Sequence, residues 1–145
     1  MALDLGSRRI GVALSDSRAT VATPWGTIHR SGDRVRDHDA IAVTVSDTEA
    51  GVVVVGLPLS LDGTQGPAAR AVLDEVDALS AALPAEVVTW DERLSTVEAR
   101  RAMQAMGVRR GRRRQIVDQL AATVILQSWL DAGGPRRSQG PHRSP

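Results

Sequence analysis

The chain has 145 residues, enough for one domain with a real core, and its 42% apolar and 24% charged content is that of an ordinary globular protein. With no cysteine it has neither a disulfide frame nor a thiolate metal site, and a net charge of +1, its basic side all arginine, does not by itself announce a nucleic-acid partner. No apolar run approaches membrane-span length and no signal peptide precedes the first strand, so a cytoplasmic protein without a membrane partner is expected.

Met1–Leu5 and Ile10–Ser15 are short β-patterned runs joined by "GSRR", which predicts a hairpin. Ala22–His29 reads as a weaker third strand. Arg34–Ser46 is an amphipathic helix with Val35, Ile41, Ala42 and Val45 inward. The run "GVVVVG", Gly51–Gly56, fits a strand buried on both faces, as in a parallel sheet. After the turn-rich "LPLSLDGTQGP", Ala68–Ala82 is a helix and Glu86–Trp90 another buried strand, ending in "DERLS". Thr96–Met106 is predicted as a helix stopped by Gly107. The basic run "RRGRRR" follows as a loop, then a strong helix over Gln115–Asp131. Gly133–Pro145 has the composition of a disordered tail, so the domain is placed at residues 1–132. An antiparallel start followed by crossovers implies a mixed α/β sheet with helices on its faces.

Acids stand out against this scaffold. Asp4 interrupts the first strand, Asp91 and Glu92 end the last, and Asp118 lies early in the final helix. In that helix Gln115, Gln119, Thr123 and Gln127 mark a wet face, while Asp118 falls with Ala121, Ala122, Ile125 and Trp129 toward the apolar side. A carboxylate there is costly unless it is paired or holds a metal. Such acids suit a hard cation, Mg²⁺ or Mn²⁺, and two such ions could activate water for phosphodiester cleavage. Gly6 would let a phosphate approach the backbone, and Arg8 and Arg9 could pair with it. Arg109, Arg110, Arg112, Arg113 and Arg114 form a second candidate phosphate-contacting group. Each feature has a plainer alternative. Asp118 could serve its own helix N-terminus, Asp91 and Glu92 could pair with Arg93, the arginine run could be a solvated connector, and Asp16 is a turn residue before it is an accessory acid.

Four blocks carry a resemblance: "LDLGSRRIGVALSD", "VVVGLPLSLDGTQGPAA", "WDERLSTVEARRAM" and "VDQLAATVILQSWLD". Together, and in this order, they resemble the YqgF/RuvX family, described as pre-16S rRNA nucleases and Holliday junction resolvase-like enzymes. The resemblance implies a ribonuclease-H-like fold with a mixed five-stranded sheet in the order 3-2-1-4-5, flanked by helices. It implies Asp4, Glu92 and Asp118 as catalytic, metal-holding acids, with Asp91 the alternative within "DER". Glu92 is preferred for its longer reach. The fourth strand carries no acid, so a carboxylate from the fifth must bridge roughly 10 Å to Asp4.

The expected function is therefore metal-dependent hydrolysis of phosphodiesters in structured nucleic acid: pre-16S rRNA, branched DNA, or both. A symmetric four-way junction would favour a homodimer. The alternative is a nucleic-acid-binding module with little or no cleavage. A third reading, an actin-like ATP-binding protein, rests on "DLGS" alone, in a chain too short for two lobes and without a second phosphate loop.

Overall fold

The computed structural model describes residues 1–94 and 113–135. The helix expected over Thr96–Met106, and Arg109, Arg110 and Arg112, lie outside the described residues.

Five strands form one sheet: β1 (Ala2–Leu5), β2 (Arg9–Ser15), β3 (Ala22–His29), β4 (Val52–Leu57) and β5 (Glu86–Asp91), in the order β3-β2-β1-β4-β5. The β1–β2 hairpin is antiparallel, with Asp4 opposite Gly11 and Leu5 opposite Ile10. Strand β4 pairs parallel to both β1 and β5. The parallel crossovers are made through helices, α1 (Arg34–Thr48) between β3 and β4 and α2 (Pro67–Ala82) between β4 and β5. A 3₁₀ turn, Glu92–Leu94, follows β5, and α3 (Arg113–Asp131) is the third described helix. This is the expected sheet.

Side chains alternate between two cores, as strand pleating requires. Leu3, Ile10, Val12, Val53 and Val55 pack under α1 and α2 with Ile41, Val45, Val72 and Leu79. Ala2, Ala13 and Val54 face the other way, onto Ala122, Ile125, Leu126 and Trp129 of α3. Both faces of β4 are thus covered, which is why its sequence is an unbroken valine run. The α3 side of β1 and β2 is built from small residues, and this brings the helix close to the sheet.

Three local readings are corrected. Val35 is 69% exposed, and Asp37 and His38 are buried on α1 instead. The α1 face is polar there because Arg30 and Glu75 meet it: Arg30 donates through both terminal nitrogens to Glu75, at 2.8 and 3.0 Å, and His38 Nε2 lies 2.9 Å from Glu75 Oε1. The supposed wet face of α3 is a polar seam against β3. Gln119 donates to Thr27 Oγ1 (3.0 Å), and Gln127 accepts from the Ala22 N–H (2.9 Å) while donating to the Thr20 carbonyl (3.1 Å). Finally, α3 begins at Arg113, so Arg113 and Arg114 belong to its first turn rather than to a loop.

Candidate active site

Asp4 stands near the C-terminal end of the central strand. Ala2 faces α3 and Leu3 faces away, so strand alternation turns Asp4 toward α3. Its neighbour on β2 is Gly11. On the other side, Leu3 pairs with Val55, and this register continued by one residue sets Gly56 beside Asp4. The carboxylate is therefore flanked on both strands by glycine.

Each glycine admits something. A Cβ on Gly11 would run into the backbone carbonyl of Asp118, so only glycine lets α3 approach the sheet at this point. A Cβ on Gly56 would lie 2.7 Å from Glu92 Oε1 and 2.5 Å from Ile125 Cδ1. Glu92 thus folds over β4 toward the central strand. This is how a carboxylate from beyond β5 spans the distance that the sequence made doubtful: the intervening strand has no side chain to step over. Glycine inside a valine strand marks close approach, and this is the signal by which the sequence points to Gly56, and to Gly11 on the other side of Asp4, as functional positions that an acid-based reading passes over.

The electrostatics reflect this convergence. Burial, and then the charge of Asp118, push the Asp4 carboxyl up to about 6. Burial also raises Glu92, with Asp4 and then Asp91 adding to the effect. Asp4 therefore feels an acid from α3, and Glu92 feels Asp4.

Asp118 is held from the opposite direction. Arg9 Nε donates to its Oδ2 at 2.6 Å, with both side chains about three-quarters buried. Arg9 lies on β2, two residues before Gly11 and on the same face. Arg8 is exposed. Gly6 serves the hairpin itself, because a Cβ there would stand 2.5 Å from the Arg9 carbonyl oxygen. The turn is tied down from outside by Arg30, whose Nε donates to the Gly6 carbonyl at 2.7 Å and whose backbone N–H donates to that of Arg8 at 2.9 Å.

The remaining candidates separate. Asp91 turns to Arg93, which contacts it through Nε and through Nη2 at 2.7 Å, and this hydrogen bonding holds the Asp91 carboxyl below its usual range. Arg93 also donates to the Leu61 carbonyl (3.2 Å), fastening the β4–α2 loop beside the strand end. Asp16 lies five residues beyond Gly11 along β2, roughly 17 Å away at strand rise. There it accepts from the Thr20 hydroxyl and from the Thr20 and Val21 N–H groups, which hold it down to about 2. It is a turn residue, remote from Asp4.

Three carboxylates on one face, offering only oxygen donors, suit a hard divalent cation in kind. As the side chains are placed, no three Asp, Glu or His among the described residues are drawn together closely enough to hold one. The Asp118 carboxylate is paired with Arg9 instead.

Known proteins decide the family. The model for "RuvX: Holliday junction resolvase" matches residues 1–132. The chain belongs to the RuvX family. Among its relatives, a "Putative pre-16S rRNA nuclease" of Myxococcus xanthus is 46% identical over 135 residues, covering 93% of this chain and 89% of that protein. One of the same description from Thermoanaerobacter pseudethanolicus is 40% identical, covering 91% and 95%. In solved structures this RuvX chain resembles "T. thermophilus RuvC in complex with Holliday junction substrate", with a TM-score of 0.59 at 13% identity and coverage of 90% and 93%. A further Thermus thermophilus RuvC structure aligns with a TM-score of 0.56 at 11% identity. At such identities the likeness shows the fold, and it bears out the ribonuclease-H-like sheet expected of a RuvX protein.

Proposed function

We propose that this RuvX chain is a metal-dependent nuclease that hydrolyses phosphodiesters in structured nucleic acid, with precursor 16S rRNA as its substrate. The observation that supports the reading is the reach of Glu92 over Gly56 toward Asp4, on the face of the sheet that α3 and Asp118 cover, with Asp4 and Glu92 both raised by burial and by acidic neighbours. Relatives at 40–46% identity named for pre-16S rRNA favour RNA as the substrate. The family description and the junction-bound RuvC neighbour make a four-way DNA junction the competing substrate, one that would call for a homodimer.

Asp4, Glu92 and Asp118 would hold Mg²⁺ or Mn²⁺. Bound there, such ions supply an activated water and a stabilised leaving oxygen. The chain's own part is positioning. Gly11 and Gly56 allow the acids to assemble. The Arg93 bridge between Asp91 and Leu61 fixes the loop bordering the site. Arg8, with the run Arg109, Arg110, Arg112, Arg113 and Arg114, would hold the phosphate backbone without reading bases. Asp91 is assigned to loop positioning rather than to ligation. Residues 1–132 form the nuclease domain in this proposal. No described helix is long and apolar enough to cross a membrane.

The test is cleavage of 16S precursor RNA and of a four-way DNA junction, with and without Mn²⁺, by the wild type and Asp4→Asn. Metal-dependent RNA cleavage lost in the variant supports the proposal. Retention of substrate without cleavage at any metal concentration would support a binding module instead.

A further inference from the structure

The Arg9–Asp118 pair sits oddly for a group that is to coordinate a cation. Asp118 reaches the sheet above Gly11, on β2. Its carboxylate is turned onto β2, toward Arg9, while Glu92 comes to Asp4 from the other side, across β4. The guanidinium thus engages Asp118 on the β2 side of Asp4, while Glu92 approaches over β4 on the other. At 2.6 Å and three-quarters buried, this is a charge-assisted hydrogen bond, not a loose surface contact.

We propose that Arg9 is an internal stand-in cation: it holds Asp118 off the acidic centre until a divalent ion displaces it, and so sets the metal concentration at which the centre assembles. The inference rests on the metal-dependent reading above. A divalent ion that took Asp118 as a ligand would compete with Arg9 for the same carboxylate and would be repelled by the guanidinium's charge. Both effects weaken binding in the wild type. Arg9 is a positioning residue in this scheme, since it acts through Asp118. Without metal, the same pair partly neutralises the acids and keeps α3 docked on the β1–β2 hairpin.

Isothermal titration with Mn²⁺, without nucleic acid, tests this on the wild type, Arg9→Gln, Arg9→Lys and Asp4→Asn, each checked for native circular dichroism. Arg9→Gln should bind Mn²⁺ about tenfold more tightly than the wild type, the loss of one charge-assisted contact that the ion must otherwise break. Arg9→Lys, keeping the charge, should stay within about threefold of the wild type. Equal or weaker binding by Arg9→Gln would overturn the proposal, because an arginine that orients Asp118 for the ion would give that result. A second measurement needs no variant. The Arg9 Nε–H resonance, protected while it donates to Asp118, should be lost to solvent exchange as Mg²⁺ saturates the wild type; its persistence at saturation would also overturn the proposal. The two readings fail differently. If Asp4→Asn abolishes binding while Arg9→Gln does not tighten it, the centre stands and the Arg9 role falls. If the wild type takes up no Mn²⁺, both fall.

Discussion

Gly56 lies directly beneath Glu92: the space a Cβ would fill on β4 is the space the Glu92 carboxylate crosses to reach Asp4. The atoms in the way, Glu92 Oε1 and Ile125 Cδ1, are the far ends of flexible side chains. Gly56→Ala should therefore fold, losing no more than about 1–2 kcal/mol. Its gain in melting temperature with Mn²⁺ should shrink markedly, because the displaced carboxylate is one of the three proposed to hold the ion. Thermal melts with and without Mn²⁺ check this; an undiminished shift would separate Glu92 from the centre.

Gly11→Ala should behave in the opposite way. There the obstacle is the Asp118 backbone, which cannot rotate aside, so α3 must lift from the sheet. A loss of about 3 kcal/mol or more is expected, the upper end of overpacking costs. Chemical denaturation of the two alanine variants side by side measures the difference.

The pH dependence has a definite sign. Asp4 titrates near 6 in the folded protein, against an ordinary value of 3.8. A group raised on folding contributes stability that is full below its unfolded value and is lost as pH rises through its folded value. Metal-free protein should therefore lose stability between about pH 4 and 6, by of order 2 kcal/mol from Asp4, with Glu92 acting in the same direction. Asp4→Asn should be more stable than the metal-free wild type above pH 6 and close to it at pH 4. Mn²⁺ should reverse that ranking at pH 7.5 and lose its effect as Asp4 protonates. Denaturation curves at pH 4 and 7.5, with and without Mn²⁺, test each comparison.

Arg30 and Glu75 offer a stability test away from the acids. Burial pushes Glu75 up, but Arg30 and His38 more than offset it and hold it below its usual range. Glu75→Ala leaves the mostly buried Arg30 without this partner and should cost about 3 kcal/mol. Because Arg30 also holds the Gly6 and Arg8 carbonyls, hydrogen exchange in the β1–β2 turn should quicken in the same variant.

The strand order, the hairpin and both α-helical crossovers were legible because they rest on local patterns and on the four family blocks. Asp4 and Asp118 are legible as acids in apolar settings, and Glu92 through the family resemblance of "DER". What could not be read was who faces whom. Val35 has the period of an inward position, yet Asp37 and His38 take the buried places, because Ser31 just ahead of the helix bonds the Asp37 carboxylate and Glu75 of α2 meets His38. Gln119 and Gln127 looked solvated, yet β3 and the turn before it offered the groups they bond. Arg9 reads as a phosphate contact from its place in "GSRR", and nothing in the sequence marks the Asp118 carboxylate it meets, 109 residues further along the chain. His38, Gln119 and Gln127 share one cause: each is a polar side chain whose partner is distant in sequence, where hydrophobic periodicity is silent.

The three acids come from the first strand, the end of the fifth and the last described helix. A chain made from its N-terminus has Asp4 in place almost at once, but Asp118 arrives only after the whole sheet has been synthesised. A nascent or truncated product lacking α3 would carry the basic hairpin and two of the acids without a complete centre. For the proposed nuclease, chain order then acts as a safeguard: an unfinished copy lacks one of the three carboxylates assigned to cleavage.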